Sequence, residues 1–156
     1  MNLPRYQLKG GDGLTTYEFV SEGRKGRIPK LIQFTTTNME GVYNLAFGDK
    51  DAKTGQINDK VISNNGDSEK VLATVVAAVY AFVEKKPDAI IYAIGSTKSR
   101  TRLYRMGITR YITEVKKDFD VLGFRDKNWH PFRKDVEYES FLVIKKQQNI
   151  NTTYEY

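Results

Sequence analysis

The stretch from Asp67 to Lys86, DSEKVLATVVAAVYAFVEKK, constrains the fold of this chain more than any other. No charge interrupts Val71 to Val83, and Leu72, Val75, Val76, Val79, Phe82 and Val83 recur at helical spacing. Ala73, Ala77, Ala78 and Ala81 fill much of the remaining surface, so neighbours can pack closely on more than one side. Asp67 stands where an N-cap belongs and Glu69 suits the first turn. Lys85 and Lys86 suit the negative end of the helix dipole, and Pro87 stops the run. The stretch predicts a central core helix.

The chain before it alternates rather than winds. Tyr6 to Leu8 predicts a short edge strand and Gly10 to Gly13 a turn. In Leu14 to Ser21, Tyr17 and Phe19 share one face, with Thr16 and Glu18 on the other. Glu22 to Arg27 reads as a glycine-bearing hairpin loop. A second strand follows over Ile28 to Thr36, with Pro29 marking its start as an edge or a bulge. A third, Val42 to Gly48, groups Tyr43, Leu45 and Phe47. Asp49 to Gly55 is a turn and Gln56 to Ser63 a fourth strand. This half predicts an antiparallel meander.

After Pro87, the apolar run Ala89 to Gly95 predicts a strand buried on both faces. A second helix, about Thr97 to Lys117, is capped by Ser96 or Thr97 and kinked at Gly107. Phe119 to Phe124 and Val136 to Ile144 are closing strands, separated by a long polar loop that carries Trp129. The order predicts one α+β domain over residues 1–145: a mixed, mostly antiparallel sheet with two packed helices. Residues 146–156 form a polar tail that frays.

Composition narrows the function classes. The chain has no cysteine, which excludes disulfides, thiolate catalysis and cysteine-based zinc sites. His130 is the one histidine, so no multi-histidine metal cluster can form. Acids at Asp49, Asp51 and Asp59 match a calcium loop only at its first positions, with Lys53 where an oxygen ligand belongs, so a turn is the better reading. No metal site is expected. No apolar run is long enough to span a membrane and no leader pattern opens the chain, so the expectation is a cytoplasmic protein. Twenty-five Lys and Arg against 19 Asp and Glu give a net charge of +6, which favours an anionic partner.

The stretch with the most chemistry is Gly95 to Arg110, GSTKSRTRLYRMGITR. It opens a helix after a buried strand and carries Lys98, Arg100, Arg102, Arg105 and Arg110, with no acid before Glu114. On a helix Lys98, Arg102 and Arg105 are near neighbours. Arg24, Lys25 and Arg27 form a second basic cluster on the hairpin tip. The primary reading is a non-enzymatic module that binds nucleic acid or a phosphate-bearing ligand through Lys98, Arg100, Arg102 and Arg105, assisted by Arg24, Lys25 and Arg27. The competing reading is a solvated basic face. Asn65 and Gly66, in the loop before the first helix, are candidate phosphate-cradling amides, although helix capping explains that loop as well. Trp129 suits stacking or a protein partner, and a sheet edge or the Trp129 loop is a candidate surface for a homo-oligomer.

At YNLAFGD, SNNGDSEKVLATV and GSTKSRTRLYRMGI the chain resembles a small bacterial family of unknown function, over most of its length from LPRYQL to FLVIKK. That resemblance implies a cytoplasmic bacterial protein and brings no catalytic residues. The element order is also similar to that of the GCN5-related acyltransferases. That similarity implies acetyl-CoA as cofactor, its pyrophosphate held near Asn65 and Gly66. Tyr104, in LYRMGI, would be the acid that protonates the leaving thiolate. The chain departs from that family at SNNGDS, which adds Asp67, and in lacking the two helices after the first strand.

Overall fold

The computed structural model describes residues 4–10, 15–58 and 63–147. Eight strands form one mixed sheet with two helices, an α+β architecture. In chain order these are β1 (Lys9–Gly10), β2 (Thr16–Gly23), β3 (Gly26–Thr36), β4 (Val42–Asp49), α1 (Ser68–Lys85), β5 (Ile90–Ala93), α2 (Lys98–Asp118), β6 (Phe119–Arg125), β7 (Asn128–Pro131) and β8 (Ser140–Lys145). Across the sheet the order is β1-β2-β3-β4-β5-β8-β6-β7. Only β4 and β5 pair in parallel; the other neighbours are antiparallel.

This order decides where the helices go. The step from β4 to β5 and the step from β5 to β6 run in the same direction across the sheet, each between parallel strands. Right-handed crossovers therefore lay α1 and α2 on the same face. The register places Tyr17, Phe19, Ile32, Phe34, Tyr43, Leu45, Phe47, Ile91, Ala93, Phe141, Val121 and Phe119 on that face. Phe82 of α1 stacks on Phe34 with ring centroids 4.2 Å apart and meets Tyr43 edge-on at 5.0 Å. Tyr80 meets Phe119 edge-on at 5.0 Å. No helix among the described residues is long and apolar enough to cross a membrane.

Several expectations change. No strand forms among the described residues of Gln56 to Ser63; Ile57 makes an isolated bridge to Lys50, and residues 59–62 lie outside the described set. Asp49 takes up that segment instead: its carbonyl accepts from the Asn58 N–H and its carboxylate from the Ser63 N–H. The N-terminal edge strand is Lys9–Gly10 rather than Tyr6 to Leu8. Tyr6 is drawn away to donate its N–H to Thr74 Oγ1 at 2.9 Å. The expected hairpin loop over Glu22 to Arg27 shrinks to a turn at Arg24 and Lys25, as the strands run on to Gly23 and Gly26. The polar loop after β6 folds into β7 through a turn in which Asp126 and Lys127 both take positive φ, and Trp129 packs on Phe124 and Tyr92. β5 is buried on one face only, because both helices lie on the other side from Ile90 and Tyr92. The last strand begins at Ser140, not Val136. The expected turn residues 11–13 and the tail from 148 lie outside the described residues.

Candidate functional site

β4 runs four residues past the point where its parallel neighbour β5 stops, Leu45 pairing with Ala93. The two strands part there, and the starts of α1 and α2 stand over the gap. They bound a cleft of about 560 Å³. One wall carries Ser63, Asn64, Asn65, Asp67 and Ser68, the other Thr97, Ser99 and Arg100. Lys30 and Phe47 form the floor, and Val71, Leu72, Leu103 and Met106 continue it as an apolar seam between the helices.

Burying a polar group is costly unless it is partnered. Yet five of the seven buried polar or charged side chains among the described residues gather here: Ser21, Lys30, Asp49, Asn65 and Arg100. Lys30, 1% exposed, donates to Asp49 Oδ1 at 2.5 Å and to the Ser63 carbonyl at 3.0 Å. Burial pushes the Asp49 carboxyl up, but hydrogen bonds from Lys30 and Ser63 and the Lys30 charge outweigh it and hold the group below its ordinary value.

Asp67 occupies the N-cap position of α1 without capping it. Its carboxylate accepts instead from Tyr6 Oη at 2.6 Å and Ser21 Oγ at 2.5 Å. The first-turn amides of α1 therefore lack a side-chain cap, unlike those of α2, where Thr97 accepts from the Arg100 N–H. Asn65 is turned inward. It donates to Ser21 Oγ and the Gly26 carbonyl, and its Oδ1 accepts from the Lys25 N–H. These bonds pin the hairpin tip to the loop before α1 and lay the Arg24 guanidinium against Gly66, whose φ of +77° suits glycine.

The basic residues of α2 do not act as one face. Arg100 is 8% exposed and donates through Nη2 to the Asn58 carbonyl at 2.8 Å. No carboxylate lies within ion-pair distance of it among the described residues. Lys98, Arg102 and Arg105 line a different groove, of about 760 Å³, whose other residues include Arg125, Asp126, Glu137 and Glu139. Arg105 donates to the Val136 carbonyl there. Arg110 pairs with Glu69, and Arg27 with Glu22. Arg24 and Lys25 meet Asn65 and Gly66 rather than α2.

Tyr104 is buried, 8% exposed, beside the apolar residues between the helices. Burial pushes its hydroxyl up to about 12. Tyr104 is not among the residues that line the cleft. Sequence reasoning misses Lys30 and weighs Asp49 only as a calcium ligand, although strand parity marks both. Lys30 falls on the inward parity of Ile32 and Phe34, and Asp49 on that of Leu45 and Phe47.

Fold and site define a two-layer α+β protein with a polar cleft at the diverging ends of two parallel strands. The chain belongs to a family of unknown function, DUF6934, whose model matches residues 2–146. No curated protein and no solved structure matches the chain. Similarity to the GCN5-related acyltransferases therefore rests on element order alone.

Proposed function

We propose that this protein is a non-enzymatic binding module for a phosphate-bearing ligand, seated in the cleft between the starts of α1 and α2. The observation that carries the reading is Arg100. It is a buried cation held against a neutral carbonyl, with no carboxylate partner among the described residues. Burying a cation is costly unless it is paired, and an anion in the cleft would supply a counter-charge to Arg100. Ser68, which opens α1 without a side-chain cap before it, lines the same space, and helix N-termini favour anions. Hydroxyls from Ser63, Ser68, Thr97 and Ser99 supply further donors.

The test is thermal stability of the protein with inorganic phosphate, pyrophosphate, ADP, coenzyme A and acetyl-CoA. A ligand at one hundred times its Kd stabilises the fold by about 2.7 kcal/mol. Pyrophosphate-containing compounds should raise Tm in the wild type and not in Arg100→Gln. The absence of a shift with every compound contradicts the reading.

A second reading, nucleic acid, is favoured by one observation: Arg24 and Lys25 are pinned to the loop that forms the cleft wall. It requires anisotropy of labelled RNA or DNA to fall steeply with salt and to be lost on changing Arg100, Arg102 and Arg105 together to Ala. A flat titration removes it and leaves the small-ligand reading standing.

A further inference from the structure

The cleft does not stay polar along its length. Beyond Lys30 and Arg100 its lining becomes Val71, Leu72, Leu103 and Met106, and Met106 is 49% exposed. Leu72 also borders a second space, a small, partly open hollow of about 70 Å³ between α1, α2 and the sheet. That cavity is apolar: Leu45, Val75, Val79, Ala93, Ile108 and Val143 are among its walls. The partition between cleft and cavity is narrow. Leu72 Cδ2 sits only 3.1 Å from where a side chain on Gly107 would begin, so the helices touch through a leucine laid on a glycine. An apolar hollow of this character accepts apolar groups, because filling it removes its lining from water.

Resting on the phosphate reading of the cleft, we infer that the ligand is a phosphorylated amphiphile. Its phosphate lies at Arg100 and the start of α1, and its aliphatic chain passes along Leu103 and Met106, displaces Leu72 and fills the cavity. Leu72 is a single side chain without polar partners, so a change of rotamer opens the partition. The order of chemistry along the path is cations, then a half-exposed apolar seam, then an apolar hollow. It matches a molecule with a charged head and a short apolar tail and mismatches a uniformly polar sugar phosphate.

Isothermal titration with n-alkyl phosphates from methyl to octyl tests this directly. Affinity should rise about fourfold per methylene and then level off when the cavity is full. Ala93→Val narrows the cavity from the sheet side, away from the cleft. It should flatten the dependence on chain length while leaving methyl phosphate affinity unchanged. Ile108→Ala widens the cavity and should move the plateau to longer chains, which keeps the test decisive if the first variant folds poorly. Methyl phosphate binding with no gain from added methylenes overturns the amphiphile assignment and spares the phosphate reading. No binding by any member of the series overturns both.

Discussion

The middle of the sheet and its cleft end are built on opposite principles. In the middle, Phe34, Phe82, Ile32, Ile91 and Phe141 are almost fully buried and contribute by area and close packing. At the cleft end, Lys30, Asp49, Asn65, Ser21 and Arg100 are buried to a similar degree but contribute through hydrogen bonds and charge. Apolar burial lowers the free energy of the fold directly, whereas a buried ion pair roughly repays its own desolvation. The polar end therefore adds little net stability for the number of side chains it orders. What it gains is a fixed position for Lys30 and Arg100 at the cleft, which is the property a binding site needs.

The sharpest way to break this contrast is at Phe82. Phe82→Ala should destabilise the protein by about 3–5 kcal/mol, read by urea unfolding, because it leaves a cavity opposite Phe34 and Tyr43. Binding per folded molecule should be unchanged. Next comes the ion pair. Asp49→Ala strands the Lys30 ammonium in the interior and should cost about 3 kcal/mol. The double change Lys30→Met with Asp49→Leu should come within about 1 kcal/mol of wild type, yet abolish phosphate binding. If the double variant is as unstable as the single one, the polar end is structural and the contrast fails.

The smallest effect is the response to acid. The Asp49 carboxyl is held below its ordinary value in the folded state, so its contribution to stability is fully present above the unfolded pKa near 3.8. It is lost as pH falls through the lower, folded value. The acid limb of wild-type stability below about pH 4 should therefore flatten in the Lys30→Met/Asp49→Leu variant. An identical acid limb in both proteins would show that Asp49 carries no such linkage.

The apolar middle was legible in the sequence because it is periodic. α1 announces itself through spacing, and β2, β3 and β4 through alternation, each within a few residues of the observed bounds. β7 was not legible, because its turn uses Asp126 and Lys127 in left-handed conformations where Asn-Gly or Asp-Gly would have signalled a hairpin. The cleft was half legible. The loop before α1 and the start of α2 were both singled out, but their juxtaposition depends on β4 and β5 being parallel neighbours, a non-local fact. The division of α2 was missed for a different reason. The sign lay in the helical phase rather than in the basic run: Arg100 shares a face with the buried Tyr104, Gly107 and Val115, whereas Lys98, Arg102 and Arg105 do not.

The most direct test of the central claim is calorimetric titration of pyrophosphate into the wild-type protein and into Arg100→Gln, at low and at physiological salt. Saturable binding to one site is expected in the wild type and at least a tenfold loss in the variant, with unfolding still cooperative. Equal affinity in the two proteins, or no heat in either, would contradict it.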